Sequence, residues 1–326
     1  MNARRTCLFG GTGFIGSHLA SALSRRGDSV TIFSRRPERH RELRILPGVR
    51  LEALDPGDEA AMVQALAGAD CVVNLIGILN ERGHDGAGFR AVHVTLARRI
   101  AAAAAQAGAG HLLHMSALGA NADAASHYLR SKAEGEQAVR AACAGRLPVT
   151  CLRPSVVFGP GDSFLSRFAG LLRLTPIFPL PCPEATYAPV YVQDVAAAFC
   201  GAAEQPQAHD GQAYELCGPR RYTLQALLEY TAAVSGQRRL IIGLPDRLSR
   251  LQADIGEYLP GKPFSRDNYA SARAGSVCTV NALPSTFGIR PTALEAVAPA
   301  YLGTRNPAAR HRYRLRQRST EHRVRT

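Results

Sequence analysis

The sequence predicts an α/β fold: a doubly wound parallel sheet with a smaller C-terminal substrate lobe. Three observations carry this reading. Short β-branched runs alternate with longer helical patterns through the first 150 residues. A glycine-rich turn joins the first run to the first helical pattern. After Arg153 the alternation loosens into a proline-rich apolar stretch followed by separate helical patterns.

Thr6–Phe9 reads as the first strand, and Ile15, Leu19, Ala22 and Leu23 then follow helical spacing. Ser29–Phe33, Val49–Leu54, Cys71–Ile76, His111–Met115 and Val149–Arg153 read as the next strands. Helical stretches separate them, among them the alanine-rich Ala97–Ala107. Leu174–Tyr191 contains five prolines and predicts loop and edge structure. Helical patterns follow at Asp194–Ala203, Leu224–Ser235, Pro245–Tyr258 and Thr292–Tyr301. The expected division is a nucleotide-binding core over 1–160, completed by about 186–217. A smaller lobe takes 161–185 and 218–303, and a basic disordered tail takes 304–326.

A chain of 326 residues with 46% hydrophobic content can bury one large α/β core or a core plus a lobe. No apolar stretch is long and charge-free enough for a spanning helix. The glycines that interrupt the first apolar run argue against a signal peptide. The eight cysteines are scattered, without a CxxC pair, and read as reduced core residues; no metal site is expected. Part of the formal net charge of +13 is local, because the segment from Thr304 onward holds eight arginines and one glutamate. That tail is either a solubilising extension or a tether to an anionic surface. A cytoplasmic chain is expected, with the tail able to bring it to the inner membrane face. Nothing indicates specific nucleic-acid recognition.

Gly10, Gly13 and Gly16 form a GxxGxxG pattern between the first strand and the first helix. In that context the missing Cβ atoms allow a tight turn and close approach of a pyrophosphate. The helix N-terminus then offers unpaired N–H groups, as in a Rossmann-type unit. The end of the second strand selects the cofactor. An acidic residue there would grip the ribose 2′-hydroxyl of NAD, but this chain has Ser34, Arg35 and Arg36. Two guanidiniums can pair with a 2′-phosphate, so NADP(H) is expected over NAD(H). The same arginines could also be solvated helix-start residues. Asp55, after the third strand, is placed to accept from the adenine amino group or to act as a cap near Asp58.

The chain holds 37 arginines and only two lysines, Lys132 and Lys262, in a Lys+Arg total of 39. Lys132 follows Tyr128 by four positions, so the two share a helix face. An ammonium beside a phenol, with an oxidised nicotinamide near, favours the phenolate and makes Tyr128 a usable acid/base. Arginine's planar fork is not equivalent in such a site. A solvated i,i+4 pair would show the same spacing. Ser116, after the fifth strand, could hold a substrate oxygen in the same pocket.

The set "GGTGFIG", "HMSALG", "YLRSK", "LRPSVVFGPGD" and "PVYVQDVAAAF" resembles the extended short-chain dehydrogenase/reductase superfamily, which includes the NAD-dependent epimerases and dehydratases. The resemblance implies Tyr128 as catalytic acid/base, Lys132 as its activator and Ser116 as the substrate-oxygen holder. It implies cofactor contacts from Gly10, Thr12, Gly13, Phe14, Ile15 and Gly16, from Leu75 and Gly77 after the fourth strand, and from Pro154 and Ser155 beside the nicotinamide. One departure stands out. Members with a full catalytic tetrad carry asparagine in the helix after the fourth strand, where this chain has His93. That histidine could bond a backbone carbonyl or a proton-relay water, could signal altered or lost turnover, or could be merely structural.

A narrower resemblance, through "NLIGIL", "SALGANADAASHYLRSKAEGE" and "YLPGKPFSRDNYAS", is to the nucleotide-binding accessory subunit of respiratory complex I and its bacterial relatives. It implies an atypical NADP(H)-binding protein partnered with a quinone-related complex. An active oxidoreductase on a small hydrophobic carbonyl or alcohol is the second reading, and a nucleotide-sugar epimerase or dehydratase the third. Leu174–Tyr191 contains no Lys or Arg for a second pyrophosphate, which disfavours the third.

Overall fold

The computed structural model describes residues 3–260 and 262–303. The chain divides into two compact units. The first comprises the described residues of Met1–Pro154, Val192–Leu216 and Cys278–Arg290. The second comprises those of Ser155–Tyr191, Cys217–Val277 and Pro291–Thr326. The basic tail lies outside the described residues.

The first unit is built on seven parallel strands. Six come early: β1 (Arg5–Phe9), β2 (Ser29–Ser34), β3 (Val49–Ala53), β4 (Cys71–Asn74), β5 (Leu112–Met115) and β6 (Val149–Pro154). Four short strands of the second unit intervene: β7 (Val157–Phe158), β8 (Ile177–Leu180), β9 (Thr186–Tyr187) and β10 (Val190–Tyr191). The seventh strand of the sheet, β11 (Ala213–Leu216), was not evident in the sequence. The order is β11-β6-β5-β4-β1-β2-β3, and every neighbouring pair is parallel. The chain runs outward from β1 to β3 and then crosses back to β4. The order therefore reverses between β1 and β4, and the carboxyl ends of those strands open a ligand crevice.

Helices join the parallel strands, as parallel pairing requires. They are α1 (Phe14–Arg25), α2 (Glu59–Leu66), a continuous run of α3 (Ala87–Arg90), a π-turn (Ala91–Leu96) and α4 (Ala97–Gln106), and then α5 (His127–Cys143). Alanine richness in α4 has a packing cause. Ala97, Ala101, Ala103 and Ala104 are fully buried with Ile100 against Met62, Leu66 and Val139, so α2 and α5 can approach α4 closely. The central strands read as largely apolar runs because both their faces are covered, whereas the edge strand β3 leaves Arg50, Glu52 and Ala53 exposed.

The second unit contains α6 (Leu165–Leu171) and, beyond α7 (Val192–Glu204) of the first unit, β12 (Tyr222–Thr223), α8 (Leu224–Val234), β13 (Leu240–Gly243), α9 (Asp246–Gly256) and α10 (Arg266–Ala274). The proline-rich segment forms the edge pairings expected of it: β7 with β10, β8 with β13 and β9 with β12. Asp162 is fully buried and organises the "FGPGD" turn. Its carboxylate accepts from the Gly159, Phe164 and Ser166 amides and, at 2.6 Å, from the Tyr301 hydroxyl.

One reading from composition is corrected. Cys7, Cys71, Cys143, Cys151, Cys182 and Cys200 are free thiols, but Cys217 and Cys278 are disulfide-bonded. The Thr279 amide donates to Glu215 of β11 at 2.7 Å, which brings the chain after Cys278 alongside the strand that precedes Cys217. No local spacing could have revealed this. Among the described residues no helix is long and apolar enough to cross a membrane.

Candidate active site

The glycine loop has the shape that a pyrophosphate cradle needs. Gly10 has φ +77°, and a Cβ there would lie 3.0 Å from the Ile76 amide nitrogen after β4. A Cβ on Gly16 would come within 2.3 Å of the Gly10 carbonyl oxygen, so only glycine lets α1 start this close to β1. Gly13 is the N-cap of α1 and brings no side-chain cap of its own, which leaves the first-turn amides without that partner. Thr12, Phe14 and Ile15 complete the turn and are half-buried.

At the end of β2, Ser34 Oγ accepts the Arg36 amide at 3.2 Å. The Arg35 and Arg36 side chains are exposed. Arg35 lines a recess of about 380 Å³ together with Ala53, Leu54 and Asp55. Asp55 is no helix cap: its Oδ1 accepts from the Gly57 amide at 2.9 Å, while Asp58 caps α2 through the Ala61 amide at 3.0 Å. A carboxylate therefore shares the recess with the guanidinium.

Lys132 is the electrostatic centre of the site. It sits on α5 and is only 3% exposed. Its Nζ donates to the Met115 carbonyl at the end of β5, at 3.2 Å. A Cβ on the exposed Gly77 would stand 3.2 Å from that Nζ, so the ammonium lies directly beneath an open stretch of backbone after β4. Burial pushes the Lys132 pKa down to about 8, opposed by the Glu136 carboxylate one turn further on. Glu136 is itself buried and held by Arg153 in a two-bond fork at 2.7 and 2.6 Å. A guanidinium at 132 would have to fit under Gly77, where little room is left.

Tyr128 lies one turn before Lys132 and is half-buried. Its ring is walled edge-on by Phe89, with centroids 5.9 Å apart, and by His93 at 5.6 Å. Ser116 follows β5, its amide bonded to the Leu152 carbonyl at 2.8 Å. Its hydroxyl is buried and has no hydrogen-bond partner. A buried hydroxyl without a partner is costly, and a substrate oxygen would satisfy it. Leu75 is buried with its amide on the Phe9 carbonyl at 2.9 Å, and Pro154 accepts from the Leu118 amide at 3.0 Å. In the second unit, the Ser155 hydroxyl donates to the Ser276 carbonyl at 2.7 Å, so its proton is committed there.

Of the roles the sequence leaves open for His93, a bond to a backbone carbonyl through Nε2 is not the one made, and the contacts are those of a structural tie. It is buried in the π-turn, and its Nε2 accepts from the Ile78 amide at 3.1 Å instead of donating to a carbonyl. The proton must then reside on Nδ1, which meets Ser131 Oγ at 2.8 Å, and the Ser131 hydroxyl donates to the Tyr128 carbonyl at 2.8 Å. Burial, reinforced by the Lys132 charge, pushes the His93 pKa down to about 2, so the ring stays neutral. Gly135 allows this contact, because a Cβ there would be 2.2 Å from the His93 carbonyl oxygen. His93 thus ties the loop after β4 to the turn of α5 that carries Tyr128 and Lys132. Phe89, Ser131 and Gly135 went unnoticed in the sequence. The pairing of Phe89 with His93 at i,i+4 was the one available clue. Among the described residues no group of three or more His, Cys, Asp or Glu could hold a metal ion.

A dinucleotide fits this residue set: a glycine cradle, an unpaired buried hydroxyl, and a buried ammonium beneath open backbone. Comparison with known proteins agrees. The family model "NAD dependent epimerase/dehydratase family" matches residues 6–217. The mitochondrial NADH dehydrogenase [ubiquinone] 1 alpha subcomplex subunit 9 of Mus musculus is 31% identical over 298 residues, covering 88% of this chain and 77% of that protein. Its Arabidopsis thaliana counterpart is 31% identical over 265 residues, and there the match covers 79% of this chain and 64% of the relative. A ceramide reductase of Caulobacter vibrioides is 33% identical over 239 residues, 73% of this chain and 72% of that protein. A solved UDP-glucose 4-epimerase from Thermotoga maritima superimposes with a TM-score of 0.72 at 19% identity, over 91% of this chain and 97% of that one. That identity supports the fold alone. By its ordered motifs, its strand order and the matched family model, the chain belongs to the NAD-dependent epimerase/dehydratase family.

Proposed function

We propose that the chain is an NADP(H)-dependent oxidoreductase, allied to the complex I accessory subunit and the ceramide reductase, that acts on a hydrophobic carbonyl or alcohol of quinone-linked or lipid metabolism. The observation that carries this reading is Lys132: a buried ammonium with a pKa near 8 beneath Gly77, one turn from Tyr128. A fold gains no stability from such a charge, so a ligand is its natural reason. When bound, NADP(H) supplies or removes a hydride. The protein's own groups bind and move the proton. Gly10, Thr12, Gly13, Phe14, Ile15 and Gly16 would hold the pyrophosphate, Arg35 and Arg36 the 2′-phosphate, and Asp55 the adenine. Leu75, Gly77 and Pro154 would flank the nicotinamide. Ser116 Oγ would fix the substrate oxygen, the Tyr128 hydroxyl would give that oxygen its proton or take it, and Lys132 would favour the phenolate and hold ribose hydroxyls.

A second reading, a cofactor-holding accessory subunit without turnover, is favoured by His93. It presents an acceptor to the loop where the resembled catalytic members have an asparagine. The test is to extract and identify the dinucleotide that co-purifies and then follow its redox state as long-chain ketones and quinones are added. Oxidation of bound NADPH supports the enzyme. Retention of NADPH through every acceptor supports the accessory subunit, and a bound NAD(H) overturns the cofactor assignment.

A further inference from the structure

Helix α9 is built the wrong way round for a core helix. Its buried positions are small: Ser249, Ala253 and Gly256. A Cβ on Gly256 would come within 2.2 Å of the Phe264 carbonyl oxygen, so the helix lies tight against its neighbour on that side. Its large apolar residues point to solvent instead. Leu248, Leu251 and Ile255 are 47%, 53% and 56% exposed. At 3.6 residues per turn these three fall within an arc of about 60°. Tyr258 and Leu259 extend the exposed set just past the helix end. Only Leu244 and Pro245 separate α9 from β13, where Leu240 and Ile242 are also exposed, and Ile177 of β8 is the register partner of Leu240. A soluble surface rarely leaves so many large apolar side chains open without a partner.

The charges around these residues select the partner. Arg173, Arg238, Arg247 and Arg250 are exposed among them. The two acidic residues of α9 have guanidinium partners on α10: Asp254 with Arg266 at 2.6 Å and Asp246 with Arg273 at 3.4 Å. The Arg266 guanidinium also lies 5.9 Å from the Tyr258 ring centroid. A leucine and isoleucine stripe flanked by arginines and an aromatic ring is the composition of a helix that lies in the headgroup region of a bilayer. Pairing two copies through the same face would set Arg247 and Arg250 against their counterparts, in a chain of formal net charge +13. We infer that the α9 face, with the exposed residues of β8 and β13, docks the protein on an anionic lipid surface. The arginines meet the headgroups and Leu248, Leu251 and Ile255 enter the acyl boundary.

The test uses the full chain and phosphatidylcholine vesicles with or without phosphatidylglycerol. Sedimentation is measured at low salt and at about 0.5 M salt, where the Debye length shrinks to a few ångströms and purely electrostatic contacts weaken. The parent is expected to sediment with anionic vesicles and to keep a measurable fraction bound at high salt. Leu251→Glu with Ile255→Glu should lower vesicle affinity at least roughly tenfold while NADPH affinity is unchanged. The chain has no tryptophan, so Leu248→Trp gives a reporter whose emission should shift to the blue on vesicle binding. Equal sedimentation of parent and Glu variant, or no shift of the reporter, overturns the inference. So does a parent dimer in sedimentation velocity that the Glu variant dissolves, which would assign the face to a second copy.

Discussion

Lys132→Met should make the protein more stable and less functional at once. The side chains are similar in length and shape, but methionine carries no charge. Lys132 is 3% exposed, and burial holds its pKa near 8 against an ordinary value of 10.5. At neutral pH the amine is protonated in both folded and unfolded chains, so the native state carries the whole penalty of that difference. At 1.36 kcal/mol per unit this is about 3 kcal/mol, less roughly 1 kcal/mol for the lost bond to Met115. A net gain of about 2 kcal/mol corresponds to a Tm rise of roughly 3 °C in a chain of this size. The sign can be checked by pH. Between 8 and 10.5 the unfolded chain binds more protons than the native one, so parent stability rises with pH through that window. The variant should lack this rise and meet the parent near its upper end. Differential scanning calorimetry across the window, with NADPH titration at each pH, measures both effects. A variant that is less stable than the parent at pH 7 and binds NADPH normally would refute the reasoning, because Lys132 would then be an ordinary structural contact.

Replacing Arg35 and Arg36 by alanine should weaken NADPH roughly 10- to 100-fold in calorimetry and NADH by less than about threefold, since exposed guanidiniums contribute modestly until the phosphate is bound; equal losses would remove the 2′-phosphate role. Asp55→Asn should widen the preference for NADPH over NADH slightly in calorimetry, because it removes a carboxylate from the recess that Arg35 lines; a narrower preference would count against a 2′-phosphate there. His93→Ala should cost about 2–4 kcal/mol in urea unfolding by stranding the Ile78 amide and opening a cavity, and it should raise KM for NADPH. The parent's pH–activity profile should show no limb from His93 anywhere above pH 5, since that ring titrates near 2. Ser116→Ala should leave stability unchanged or slightly higher, because its hydroxyl has no partner to lose, yet should lower kcat/KM for a carbonyl substrate about tenfold or more.

Much of the sheet could be read from the chain because its central strands are buried on both faces and so appear as largely apolar runs. The glycine loop was legible because each glycine answers a steric demand at a fixed spacing. The Tyr128–Lys132 pair was visible as a helical i,i+4 step, and the scarcity of lysine marked it. Lys262, the other lysine, has a structural occupation: its Nζ pairs with the buried Glu257 at 2.6 Å, and it adopts φ +41°. What stayed hidden was relational. β11 is four residues long and, among the described residues, pairs with β6 alone, so nothing local announces it. The tautomer of His93 depends on an amide fifteen positions earlier and a hydroxyl thirty-eight positions later. The solvent-facing stripe of α9 has the same periodicity as a buried one, and only the packing of Ser249, Ala253 and Gly256 shows which side faces inward.

The most direct test of the central claim is single-turnover hydride transfer from the NADPH-loaded protein to a long-chain ketone, with parent and Tyr128→Phe compared at matched cofactor occupancy. The account predicts NADPH oxidation by the parent, the hydride passing to the ketone carbon while the Tyr128 hydroxyl gives the oxygen its proton. It predicts unchanged NADPH affinity and at least a hundredfold slower transfer, on the order of 3 kcal/mol, in the phenylalanine variant. Equal rates in the two proteins, or no transfer by the parent to any ketone or quinone, would contradict it.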